Sequence, residues 1–122
     1  MAKIGTAFQA TGFDNHLWIV ISEPTKAGEV LCVNVTDAKN YPDSTCHLAI
    51  GDHEFIKKPS VIVYKSKSVR LWPEKAIDNG IRSGSFKQYA DFTKEILEKI
   101  ITGAFRSEDM PPFRLVHVKP LS

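Results

Sequence analysis

Charge of one sign, cysteine and long apolar runs are all scarce in this sequence, and each scarcity removes a class of protein. Sixteen Lys and Arg stand against fourteen Asp and Glu, a net charge of +2. The chain as a whole is therefore neither a polycation nor an acidic tail. The two cysteines, Cys32 and Cys46, sit in no pairing motif, which excludes a disulfide-stapled miniprotein and points to packed thiols. The longest apolar run, Leu17 to Ile21, is far short of the ~20 residues that a bilayer-spanning helix needs. The opening Met-Ala-Lys-Ile-Gly lacks the apolar core of a secretory signal, so a cytoplasmic location with no membrane association is expected. A glycine-rich phosphate loop, a dinucleotide fingerprint, an internal repeat and a low-complexity tract are missing as well.

What is present is ordinary globular material: 122 residues, 43% hydrophobic and 25% charged. That length supports one domain, 1–122, with a core of its own. Leu17 to Ser22 is a β-branched and aromatic run that reads as a strand buried on both faces. Lys26 to Glu29 supplies a turn, and Glu29 to Thr36 reads as the next strand. Leu31, Val33 and Val35 lie on one of its faces and Cys32, Asn34 and Thr36 on the other. Asp37 to Ser44 reads as a loop, Cys46 to Ile50 as a short strand, and Ser60 to Lys65 as a clear one that Ser68 to Trp72 continues or follows.

The period then changes. Pro73 and Gly80 bracket a short helix. Ser85 and Gln88 have capping-box spacing, and Phe86, Tyr89, Ala90, Ile96, Leu97, Ile100 and Ile101 recur at helical intervals up to Gly103. The spacing predicts one long helix there, and weak alternation over Phe113 to Val118 predicts an edge strand. Strands first and helices afterwards imply a mainly β fold: a small antiparallel, strongly curled sheet or β-barrel with a C-terminal helix, packed by one long and one short helix.

The polar chemistry concentrates at Thr45 to Phe55, where Cys46, His47, Asp52, His53 and Glu54 surround Gly51 in a chain with four histidines. Downstream, Lys57, Lys58, Lys65, Lys67, Arg70 and Lys75 make a local basic strip. Such a strip either holds a phosphate backbone or guards a sheet edge against aggregation. The spacing of Cys32, Cys46, His47, Asp52 and His53 fits no zinc pattern, so neither a metal nor another cofactor is expected.

The order of these segments resembles the MazF/PemK family of toxin endoribonucleases. Residues 17–22, ending Val-Ile-Ser, are similar to the family's second strand, and residues 30–36, ending in Thr36, to the strand that follows. Ser60-Val61-Ile62-Val63 is similar to its Ser-Val strand, and Gly84 to Ile101 to its closing Gly-plus-helix segment. The resemblance covers about Gly5 to Gly103. It departs at Asn15-His16, where the family carries Arg-Pro, and at Lys65-Ser66, where it carries Asp-Gln; Gly51 to Ile56 has no counterpart.

The resemblance implies an SH3-like barrel, a homodimer, a protein antitoxin as partner, and metal-free cleavage of single-stranded RNA by attack of the 2′-hydroxyl on the neighbouring phosphate. It carries over one site residue, Thr36. Such cleavage needs a base, an acid and donors for the phosphorane charge. His16 and His53 fit the proton-transfer roles, Asp52 or Glu54 an orienting role, and Lys65, Lys67 or Arg70 the phosphate. Tyr64 either stacks a base or belongs to the core, and Thr36 either takes part in catalysis or caps a turn. Two further readings stand beside this one: a non-catalytic barrel that binds protein or nucleic acid, and an acid–base enzyme using Asp52 and His53 on a small substrate.

Overall fold

The structure, a computed structural model, describes residues 2–121. Seven strands are present: β1 (Ala7–Ala10), β2 (Leu17–Val20), β3 (Glu29–Asp37), β4 (His47–Leu48), β5 (Ser60–Val63), β6 (Val69–Pro73) and β7 (Phe86–Tyr89). They form one sheet in the order β4-β5-β3-β2-β1-β7, with β6 also on β3. All pairings are antiparallel, as expected from early strands that no long helix separates. The ladder is open, with β4 and β7 at the ends of the path. Three helices accompany it: α1 (Glu74–Ser83), α2 (Lys94–Arg106) and α3 (Pro112–Leu115).

β3 is the spine because both of its edges are used. β2 pairs along one edge. On the other edge Asn34 faces Val63 of β5, while its neighbour Val33 faces Val69 of β6. Residues 64–68 are thus extruded from the ladder as a bulge, and they contain a turn at Ser66–Ser68 closed by the Ser68 amide on the Lys65 carbonyl at 2.8 Å.

Both faces of the central strands are covered, which is why Leu17–Val20 is apolar without alternation. One face packs Phe8, Trp18, Val20, Val30 and Cys32 against Ile77 of α1. The opposite face packs Ala7, Ile19, Leu31 and Val33 with Leu97, Ile100, Ile101 and Ala104 of α2. A side chain the size of Ile77, fully buried, contributes about 1.5–3 kcal/mol.

The C-terminal half departs from the helical pattern in the sequence. Phe86–Tyr89 is a strand on β1, and α2 starts later, capped by Thr93, whose hydroxyl oxygen accepts from the Ile96 amide at 3.3 Å. Phe86 and Tyr89 are three apart, a spacing that suits a helix face; in the strand they point to opposite faces, Phe86 toward α1 and Tyr89 toward α2. Gly80 and Gly103 are not terminators. Both lie inside helices at points of close approach, and it is Gly84, with φ of 85°, that ends α1. The tail forms no edge strand: Pro112, fixed in φ, starts a single turn in which Arg114 and Leu115 amides both donate to the Pro111 carbonyl at 3.0 Å. β1, unmarked by any sequence signal used above, is short and flanked by two turns.

Candidate functional site

Where β2 begins, β3 ends and β5 begins, a cleft of about 250 Å³ opens, lined by Asn15, His16, Thr36, Phe55, Lys57 and Lys58 among others. The β1–β2 turn builds one side of it. Gly12, with φ of 88°, lets the chain reverse. Asp14 Oδ1 then accepts from the His16 amide at 3.1 Å and from Trp18 Nε1 at 3.2 Å, which fixes the turn to the sheet. The β2–β3 register, with Trp18 opposite Asn34, runs on toward His16 and Thr36, which share the cleft.

His16 is exposed, and its Nδ1 lies 3.1 Å from the Val35 carbonyl oxygen. A carbonyl only accepts, so Nδ1 carries the hydrogen and the neutral ring keeps its lone pair on Nε2. The Thr36 hydroxyl has no hydrogen-bond partner among the described residues. Lys58 pairs with Asp37 at 2.9 Å. That hydrogen bond, helped by the Lys39 amide, holds the Asp37 carboxyl below the ordinary carboxylate value. Lys57 has no ion-pair partner among the described residues. The cleft therefore offers an oriented imidazole, a free hydroxyl and one uncommitted ammonium, with a second ammonium already neutralised.

The Asp52–His53 segment performs a different task from the one its residue types suggest. His53 is 7% exposed and stacks on Phe92 with ring centroids 4.1 Å apart. Its Nδ1 accepts from the Phe55 amide at 3.0 Å, leaving Nε2 to donate to the Ala90 carbonyl at 2.6 Å. Glu54 accepts from the Ala90 amide at 2.6 Å. The two side chains hold one residue of the β7–α2 connection from both of its backbone groups. Asp52 accepts from the Ala49 amide at 2.8 Å and closes the turn around Gly51. His16 and Thr36 are thus brought together, whereas His53 and Asp52 are committed to structure. Neither Asp52 nor Glu54 orients an imidazole.

The RNA-binding candidates divide three ways. Tyr64 is a correction: it is fully buried and its hydroxyl donates to the Ile100 carbonyl at 2.7 Å, so its ring cannot meet a base. Burial, together with Cys46 beside it, raises its pKa. Lys65 and Lys67 are exposed on the bulge and line a second cleft. Arg70 is exposed on β6, its guanidinium carbon 5.0 Å from the Phe13 ring centroid and 6.0 Å from that of Trp72. None of the three lines the His16 cleft.

Lys57 and Lys58 are the residues that sequence reasoning left in an undifferentiated basic strip. The available signal was their place just before Pro59 and the Ser60 strand, which puts them at a strand end beside the end of β3. Among the described residues no helix is long and apolar enough to cross a membrane. No family model matches this chain, and no curated protein or solved structure matches it significantly.

Proposed function

We propose that the protein is a metal-independent endoribonuclease acting on single-stranded RNA, a divergent MazF/PemK-like toxin on an SH3-like barrel. The observation that carries this reading is His16: its Nδ1 is pinned to a backbone carbonyl and its Nε2 is left as a base, in a cleft shared with Thr36 and Lys57. His16 Nε2 takes the proton of a ribose 2′-hydroxyl as that oxygen bonds to phosphorus. The bond from phosphorus to the 5′-oxygen breaks, and solvent in the open cleft protonates the leaving oxygen. The products are a 2′,3′-cyclic phosphate and a 5′-hydroxyl. Lys57 and the Thr36 hydroxyl meet the charge that builds on the phosphorane oxygens.

The test is cleavage of a mixed single-stranded RNA in EDTA. A positioned base contributes about 10²–10⁴-fold, so His16→Ala should lose at least about 10²-fold in kcat, and a 2′-deoxy substrate should resist cleavage. A wild-type preparation that cuts no RNA, or a His16→Ala variant that cuts as well as wild type, ends the reading. The family reading also carries a homodimer and a neutralising antitoxin, so induced expression should arrest growth unless the partner gene is supplied.

A non-catalytic binding module is the second reading, favoured by one observation: His53 and Asp52, the other proton-carrying candidates, are consumed in structure. Growth-neutral expression together with RNA binding but no RNA cleavage would select it.

A further inference from the structure

A second cleft, larger than the one that holds His16, opens elsewhere on the sheet. It has a volume of about 800 Å³ and lies between the bulge, Lys65 to Ser68, and the segment Glu108 to Phe113. Its two walls differ in chemistry. The bulge wall presents two lysines with no ion-pair partner and two serine hydroxyls with no hydrogen-bond partner among the described residues. The opposite wall presents Met110, Pro111, Pro112 and Phe113, a residue 63% exposed whose ring centroid lies 5.0 Å from the Arg114 guanidinium carbon. Cations facing an exposed aromatic are the combination that holds a single strand: phosphates on one side, a stacked base on the other.

The bulge is rooted, so its charges are held in place before anything binds. Tyr64, the residue that opens it, is fully buried with its hydroxyl on the Ile100 carbonyl. Lys65 Nζ lies 5.4 Å from the centroid of the Tyr41 ring, and the Tyr41 hydroxyl is bound to the Asp109 carboxylate. Asp109 is therefore occupied, and Glu108 is the one acidic lining group without a partner among the described residues.

The two clefts are neighbours along β5. Ser60 lines the His16 cleft and Val63 the larger one. Thr36 stands directly opposite Val61, so Val63 is its diagonal neighbour, about 7–8 Å away on the same face. We propose that the larger cleft is the binding site for the flank of a single-stranded RNA whose scissile phosphate lies at His16, with Lys65 and Lys67 on its phosphates and Phe113 stacking a base. This rests on the endoribonuclease reading but is tested by binding, not by cleavage.

The probe is a fluorescein-labelled ten-nucleotide 2′-O-methyl RNA, which cannot cleave itself, titrated with full-chain protein and followed by anisotropy. The Lys65→Gln/Lys67→Gln double variant should bind at least tenfold more weakly at low salt. Its log–log salt dependence should be shallower by about 1.4, at roughly 0.7 per lost phosphate contact on single strands. Phe113→Ala should weaken binding by about tenfold. Glu108→Gln should tighten it two- to threefold, because it removes the one uncommitted negative charge from the cleft. Unchanged affinity in the double lysine variant, with affinity lost in Lys57→Gln, overturns this inference and leaves the endoribonuclease reading standing. Weaker RNA binding by Glu108→Gln overturns it, because removing a negative charge from a cleft that holds phosphates must not reduce affinity. No binding of the oligonucleotide by the wild-type protein overturns it outright, whatever the cleavage assay shows.

Discussion

Gly103 and Tyr64 occupy one space. A Cβ added to Gly103 would overlap the Tyr64 hydroxyl and come within 3.1 Å of Cys46 Cβ. The glycine in the middle of α2 is thus what admits the tyrosine to the Ile100 carbonyl, and Tyr64 in turn roots the lysine bulge. Two effects of Gly103→Ala oppose each other. Helix propensity favours alanine by about 1 kcal/mol, whereas forcing a methyl group into this contact costs about 1–3 kcal/mol and displaces a buried hydroxyl from its acceptor. Because the Tyr64 ring is fully buried and tied to the Ile100 carbonyl, with Cys46 Cβ beside it, there is little room to yield, and the net effect should be a loss of about 1–2 kcal/mol, read from the urea midpoint. A stabilised variant would show that the Tyr64 contact is slack.

His53→Ala should destabilise without touching chemistry. It removes two hydrogen bonds and the stack on Phe92, a loss of about 2–3 kcal/mol. The fraction still folded should cleave RNA with the wild-type kcat and the wild-type pH profile. A changed pH profile at unchanged stability would return His53 to the list of proton carriers.

Asp43 joins the loop after β3 to the end of α2, accepting from Ser107 Oγ at 2.5 Å and from the Thr45 amide at 2.9 Å. Burial works against its charge, but the Ser107 and Thr45 hydrogen bonds outweigh burial and hold its pKa below the ordinary 3.8. The sign follows. The native state keeps this carboxylate ionised where the unfolded chain takes up a proton, so its contribution is complete above the unfolded value and is lost as pH falls through the folded one. Asp37 acts in the same direction through Lys58. Asp43→Asn should lower stability at pH 7 by about 1 kcal/mol, after discounting for solvent screening, and flatten the decline below about pH 4. Parallel acid limbs in wild type and variant would refute this assignment.

The cysteines should behave as core residues. Burial pushes the Cys46 thiol up to about 11 and raises Cys32 well above its ordinary value. In native protein at pH 7.5, iodoacetamide should label both only as fast as the protein opens, and denaturant should release both at once. Rapid labelling of either thiol without denaturant would contradict its placement.

Much of the β half was legible because periodicity and burial agree there. Leu17–Val20 is apolar throughout and Ser60–Val63 is apolar after its first residue, and both are buried along their whole length. The misreading of Phe86–Tyr89 has a local cause. Four residues with apolar ends fit a helix face as well as a strand, and only the ladder with β1 decides between them. The polar cluster misled for a related reason. His, Asp and Glu carry the same proton chemistry whether they face a substrate or a backbone amide. What turns His53 and Glu54 into a clamp on Ala90 is a contact across more than thirty residues of chain.

Composition and local pattern by themselves determined that this chain folds mainly as antiparallel strands with helices toward its C-terminal end and with buried thiols, because alternation, turn residues and caps act over a few residues. Which histidine keeps a free nitrogen, which lysines stand unpaired, and where residues 64–68 leave the ladder were decided only by tertiary structure. Those outcomes depend on which backbone groups and carboxylates from distant segments arrive first as partners, and strand register, not sequence spacing, sets those encounters.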